Sequence, residues 1–166
     1  MENQTNKNLI TQIETISADE KKLIFNSFTH DEAWKLGTAL YEEAKNRKAS
    51  VTIDIRKGKH VLFHYAMEGT SPNNDRWIER KSNTVQFVHK SSFRVGRENI
   101  LAGETLESRQ YLDSNFYAEH GGSFPINIKG VGIIGAVTVS GLPQEEDHKL
   151  VVDVLKKFIY PSSPEK

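Results

Sequence analysis

This sequence of 166 residues contains no cysteine, which excludes disulfides, zinc–thiolate sites, iron–sulfur clusters and thiol nucleophiles. It has no apolar run near the ~20 residues that a membrane-spanning helix needs, and its first residues lack the basic and then apolar pattern of a secretory signal. It has no excess of charge either, because 22 lysines and arginines balance 22 aspartates and glutamates. We therefore predict a cytoplasmic protein whose partners are neither membranes nor nucleic acids.

The length fits one domain with a sizeable core, and we place this domain at residues 21–160. Residues 1–20 are polar, with Leu9, Ile13 and Ile16 at a spacing that suits either a short helix or a frayed arm. Residues 161–166 are predicted to form a disordered tail.

Local patterns predict a helix, a hairpin and a long helix in the first part of the domain. Thr29 and Glu32 have the spacing of a capping box, which marks the start of a helix. Apolar and polar residues then alternate from Val51 to Arg56, and a second apolar run follows the turn at Gly58, as in a β-hairpin. Residues 75–95 contain neither glycine nor proline, and we predict that they form the longest helix.

The last third of the chain combines a glycine turn, an apolar strand and a final helix. Gly121-Gly122 allows a tight turn, and residues 133–139 form a strand that ends at Ser140-Gly141. Pro143 then opens a helix with an acidic first turn. Polar residues 103–115 predict an irregular segment that is a candidate lid. The order of elements predicts an antiparallel sheet with helices on its faces, an α+β fold.

Three segments of the chain match motifs of one known family. They are the hairpin residues Ile53-Asp54, Gly58 and Met67-Glu68-Gly69; Lys81 with Thr84; and Gly121-Gly122-Ser123-Phe124-Pro125-Ile126 with Gly135-Ala136-Val137, Ser140-Gly141 and Asp147. In these motifs the chain resembles the haem-degrading-domain family of HbpS-like, GlcG-like and PduO C-terminal-domain-like proteins, from about residue 29 to residue 158. It is more similar to a small branch of that family than to the haem-sensing members.

The resemblance implies a profilin-like layered α+β domain, a symmetric homo-oligomer and a small ligand. Haem is the precedent that the family offers for a cofactor. His64 and His120 are the candidates for binding haem iron, because a neutral imidazole can ligate iron directly. His64 lies in the hairpin and His120 precedes the glycine turn. No metal-ion site is predicted.

The glycine turn and the helix before it predict a ligand site. The amides of Gly121 and Gly122 can form a nest for an oxyanion, although a simple tight turn explains the glycine pair equally well. Lys81 stands where the family has its most characteristic lysine. It is expected to pair either with a carboxylate of the ligand or with Asp147 in a buried structural ion pair.

Other residues are expected to shape or support this site. Trp77 and Phe124 are expected to supply apolar walls against the ligand, and Pro125 is also predicted to be a ligand-binding residue. Structural roles are expected for four more residues: Asp54, Ser140, Gly141 and Asp147.

Three functions are compatible with the sequence. We favour a non-catalytic homo-oligomer that holds a small hydrophobic or anionic molecule near Lys81 and His120, because the motifs contain no convincing nucleophile and base. A second hypothesis is an enzyme that acts on haem or a related tetrapyrrole, with the oxygen chemistry supplied by the cofactor. A third is an adaptor that presents Arg80, Lys90 and Arg94 to a protein partner.

Overall fold

The computed structural model describes residues 2–161, so residues 162–166 of the predicted tail lie outside the described part of the chain. Within residues 2–161, five α-helices and four strands follow one another, with one π-helical turn at Leu106–Gln110. Their bounds are α1 Glu2–Lys22, α2 His30–Asn46, β1 Thr52–Lys57, β2 His60–Ala66, α3 Pro72–Val88, α4 Ser92–Ala102, β3 Ser123–Ile128, β4 Gly132–Ser140 and α5 Gln144–Ile159.

The four strands form one antiparallel sheet in the order β2-β1-β4-β3. Helices α2 and α5 cover one face of the sheet, and α3 packs against the strands from the other face. The predicted α+β fold and the predicted hairpin of β1 and β2 are confirmed. The capping box is also present, since the Thr29 hydroxyl accepts from the Glu32 amide and the Glu32 carboxylate accepts from the Thr29 amide.

The two faces of the sheet differ in chemistry because strand residues alternate in direction. Ile53 and Ile55 of β1, with Val51 just before the strand, are fully buried in an apolar core with α2 and α5. The residues between them, Thr52 and Asp54, are also buried but face the α3 side. Buried polar groups need hydrogen-bond partners. Arg56 and His64 supply them to Asp54, whereas the Thr52 hydroxyl has none among the described residues.

The segment for which the sequence allowed an arm or a helix is the 21-residue helix α1. Its inner side buries Leu9 and Ile16. Near its end the Glu20 carboxylate accepts from the Ser91 amide at 2.8 Å and from Arg94 Nη1 at 2.6 Å. These contacts fasten α1 to the start of α4.

The prediction of one long helix over residues 75–95 is wrong. Helix α3 starts at Pro72 and ends at Val88, and His89 turns the chain with a left-handed φ of 60°. Ser91 then caps α4, its hydroxyl accepting from the Arg94 amide at 3.3 Å. The break was missed because the left-handed residue is a histidine rather than the usual glycine.

Candidate functional site

A cavity of about 250 Å³ opens at the C-terminal end of β4, between α3 and the start of α5. Helix α3 contributes side chains spaced three and four apart, which places them on one face of the helix. The segment before β3 closes the third side. The lining residues are Asn73, Asn74, Trp77, Lys81, His120, Gly121, Ser140, Gly141, Leu142, Gln144 and Asp147.

Lys81 lies at the floor of this cavity and joins three elements. Its ammonium donates to the Gly121 carbonyl at 2.9 Å, to the Val139 carbonyl at 2.6 Å and to Asp147 Oδ2 at 3.3 Å. An ammonium has three protons, so these three acceptors use all of them. The ion pair with Asp147, one of the two roles predicted for Lys81, is present in the structure.

The Lys81–Asp147 pair is almost completely buried. Burial lowers the pKa of Lys81, and the Asp147 carboxylate opposes this. Burial raises the pKa of Asp147, and this effect is opposed by the charge of Lys81 and by the backbone amides of Leu142 and Gly141, which lower it. Three acceptors around Nζ favour the charged lysine, because a neutral amine would leave one of them without a donor.

The glycine turn is a close approach of backbone to backbone. A Cβ atom on Gly121 would collide with the carbonyl of Gln144, and one on Gly122 would collide with the carbonyl of Val139. Gly122 has a φ of 125°, which favours glycine. The Gly121 amide donates to Gln144 Oε1 at 3.3 Å. The pair therefore serves a tight turn against α5, and the Gly121 amide already has a partner.

His120 stands at the mouth of the cavity with an accessible ring. The ring packs edge-on against Trp77, with 4.9 Å between centroids. Neither ring nitrogen has a hydrogen-bond partner among residues 4–161. Burial lowers the pKa of His120, and the positive charges of Lys81, Arg80 and Arg97 lower it further. The lowered pKa favours the neutral imidazole, which has a nitrogen lone pair available for a ligand.

His64 is held differently, although it was the other predicted haem ligand. Its Nδ1 lies 2.9 Å from Asp54 Oδ2 and its Nε2 lies 2.9 Å from Asp75 Oδ1. Asp54 also accepts from Arg56 through both carboxylate oxygens, at 2.6 and 2.7 Å. Both nitrogens of His64 are thus engaged, and the residue joins β2 to the start of α3.

The predicted apolar walls are only partly in place. Trp77 lines the cavity, but Phe124 is buried in the core between the sheet and α5 and does not. Pro125 is buried within β3 and is not part of the lining either. Ser140 and Gly141 do line the cavity, and the Ser140 hydroxyl accepts from Asn74 Nδ2 at 3.4 Å. Strand alternation explains the error, because Ser123 and Phe124 point to opposite faces.

A second cavity of about 280 Å³ lies beside the first, under the segment that the sequence identified as a candidate lid. Sequence reasoning missed it because its walls come from distant parts of the chain. His120 lines both cavities. The other lining residues are Arg80, Thr105, Leu106, Glu107, Ser114, Tyr117, Ala118 and Glu119.

The segment that directly follows the candidate lid, residues 116–118, is tied to α3. The Ala118 amide donates to the Arg80 carbonyl at 3.1 Å and to the Thr84 hydroxyl at 3.0 Å. Asn83 Nδ2 donates to the Phe116 carbonyl at 2.9 Å. The hydroxyl of Thr84, a residue of one of the family-like motifs, thus anchors this segment to α3.

Several other features bear on function. Within residues 4–161 no three histidine, aspartate or glutamate side chains are placed to hold a metal ion. No helix in the described part of the chain is long and apolar enough to cross a membrane. Lys90 pairs with Glu98 at 2.7 Å, and Arg94 pairs with Glu20 at 2.6 Å. These pairs neutralise much of the basic surface that an adaptor was predicted to present.

Comparison with known proteins supplies the family. The family model described as "Haem degrading protein HbpS-like" matches residues 28–156. The chain belongs to the HbpS-like family. The resemblance drawn from the Gly-Gly and Lys81 motifs is therefore confirmed.

Relatives within the HbpS-like family share much of the sequence. The UPF0303 protein SCO2848 of Streptomyces coelicolor is 49% identical over 144 residues, covering 87% of this chain and 91% of that protein. A UPF0303 protein of Serratia proteamaculans is 41% identical over 157 residues, covering 95% and 98%.

Solved structures agree with the fold of this HbpS-like chain. The crystal structure of Ybr137w protein has a TM-score of 0.83 and 34% identity, covering 89% of this chain and 87% of that one. The crystal structure titled PduOC:Heme complex has a TM-score of 0.67 and 17% identity, covering 81% and 96%. At that identity the second likeness concerns the fold alone.

Proposed function

We propose that this chain is a small-ligand-binding protein that holds a flat, anionic molecule at the mouth of the first cavity, against Trp77 and His120. The observation that carries this proposal is the His120 imidazole, which is accessible, lies beside an aromatic wall and has no hydrogen-bond partner among residues 4–161. Its lowered pKa favours the neutral form. The cations around it favour a negative ligand. A cytoplasmic homo-oligomer remains part of the proposal, supported by the family resemblance.

Haem is the first ligand to test. A neutral imidazole at an open cavity fits one axial position of haem iron. The cavity of about 250 Å³ is smaller than the roughly 300–1,000 Å³ of pockets that enclose drug-sized ligands. A tetrapyrrole would therefore insert one edge and leave the rest of its ring at the mouth. A smaller aromatic acid would fit within the cavity.

Binding accounts for the geometry better than catalysis does. Ser140 is the hydroxyl in the lining, and its hydroxyl accepts a hydrogen bond from the Asn74 amide rather than donating to a base. The buried carboxylate, Asp147, is already paired with Lys81. Nucleophilic catalysis needs a nucleophile within hydrogen-bond reach of a base, and these lining groups do not supply that pair.

The test is a haem titration of the purified protein followed by the Soret band, with His120→Ala and His64→Ala in parallel. We expect saturable binding with a histidine-ligated spectrum in the wild type. His64→Ala should show the same spectrum, because both ring nitrogens of His64 already face carboxylates in the native protein. His120→Ala should lose that spectrum. An unchanged spectrum in His120→Ala would overturn the assignment of the ligand. Native mass spectrometry of the same samples gives subunit number.

A further inference from the structure

Arg80 sits beside the first cavity with its guanidinium held in place. The central guanidinium carbon, Cζ, lies 4.6 Å from the centroid of the Trp77 ring, which is a cation–π contact. Its Nε donates to the Ser114 carbonyl at 2.9 Å. These two contacts orient the guanidinium plane. Its two terminal nitrogens have no hydrogen-bond partner among residues 4–161.

Arg80 also has no acidic partner. No carboxylate of residues 4–161 lies within ion-pair distance of it, whereas Arg47, Arg56 and Arg94 each bind at least one carboxylate at 2.6–2.9 Å. Burial lowers the pKa of Arg80, and the neighbouring charge of Arg76 lowers it further. Glu107 and Glu119 line the second cavity with Arg80, but neither carboxylate forms an ion pair with its guanidinium.

The position of Arg80 connects it to the proposed ligand site. The Trp77 ring contacts both the His120 ring and the Arg80 guanidinium. His120 lines both cavities, Trp77 lines the first, and Arg80 lines the second. A molecule lying against His120 and Trp77 is thus next to the free end of the guanidinium.

We propose that Arg80 forms an anion subsite, in which its terminal nitrogens bind a carboxylate of a ligand whose flat ring lies against Trp77 and His120. Guanidinium and carboxylate match in geometry and form strong, charge-assisted hydrogen bonds. The inference deepens the proposed function and rests on it. It assigns the ligand to the class of aromatic or tetrapyrrole carboxylic acids.

The test uses two pairs of probes that differ only in the acid group. The first pair is haem and haem dimethyl ester, and the second is 1-naphthoate and 1-naphthamide. Hydrogen bonds to a charged partner contribute about 1.5–3 kcal/mol, so we expect the wild type to bind each acid at least about tenfold more tightly than its neutral counterpart. Arg80→Gln should abolish that preference, and Arg80→Lys should retain part of it, because lysine keeps the charge without the planar fork.

Arg76→Gln is the matched control, since it removes the same charge from an exposed position one turn earlier on α3. It should change the preference by less than about twofold. If haem fails to bind but the naphthoate preference exists and disappears in Arg80→Gln, the subsite stands and haem is the wrong ligand. An acid preference that survives in Arg80→Gln overturns the subsite even if haem binds. Failure of both acids to bind the wild type overturns it as well.

Discussion

Replacing Lys81 by methionine keeps an unbranched apolar stem but removes the ammonium that joins α3, β4 and α5. Asp147 then remains buried with the amides of Leu142 and Gly141 as partners, while two backbone carbonyls lose their donor. Breaking a buried ion pair from one side costs about 3–5 kcal/mol. We expect Lys81→Met to lower the free energy of unfolding by about that amount.

The assay is equilibrium unfolding in urea, with the midpoint and slope fitted for each variant. Asp147→Leu should be similarly destabilising, because it leaves the Lys81 charge unpaired. The double variant Lys81→Met/Asp147→Leu should lose clearly less than the sum of the two single losses, since no unpaired charge remains.

Lys157→Met is the matched control for the charge change. Its side chain is 70% exposed and pairs with Glu43 at 3.1 Å, and exposed pairs of this kind contribute at most about 1 kcal/mol. The reasoning is refuted if Lys81→Met costs no more than Lys157→Met. It is also refuted if the two single losses simply add in the double variant.

Three further predictions concern stability. Burial lowers the pKa of His148 from 6.5 to about 4, so the unfolded state binds a proton more readily than the folded state. The free energy of unfolding therefore does not depend on this group above pH 6.5. The free energy of unfolding should fall by about 3 kcal/mol between pH 7 and pH 4 because His148 titrates. A His148→Phe variant whose free energy of unfolding falls as much as that of the wild type over that range would contradict this. Gly122→Ala should unfold at a clearly lower urea concentration, because its Cβ would meet the Val139 carbonyl at a positive φ; an unchanged midpoint would count against the close approach. Ser91→Ala should lower the free energy of unfolding by about 1 kcal/mol, because it removes the cap of α4. An unchanged melting temperature in calorimetry would contradict this prediction.

Local chemistry was enough to predict most of the fold. The capping box at Thr29 and Glu32 marks the start of α2, and the alternation around Ile53 and Ile55 marks β1. The prediction was wrong between α3 and α4, where neither glycine nor proline separates the two helices. His89 adopts a left-handed conformation and ends α3, which no local rule favours strongly.

The site was harder to predict because it depends on long-range contacts. The Lys81–Asp147 pair joins residues 66 positions apart, and without the fold the lysine was equally open to a ligand. Phe124 lies two residues after the glycine turn, but its side chain points into the core. The hydroxyl of Ser123, which precedes it, lies 2.8 Å from the Thr138 hydroxyl on the opposite face. The sequence likewise could not show that the terminal nitrogens of Arg80 have no partner among residues 4–161, because it does not show which acids lie nearby.

The most direct test of the ligand site is a crystal structure of the protein soaked with 1-naphthoate. Our account predicts the naphthalene ring against Trp77 and His120, with its carboxylate on the guanidinium of Arg80. The account is contradicted if the molecule leaves that site empty and binds elsewhere, for instance in the exposed aromatic groove between Trp34 and Tyr65.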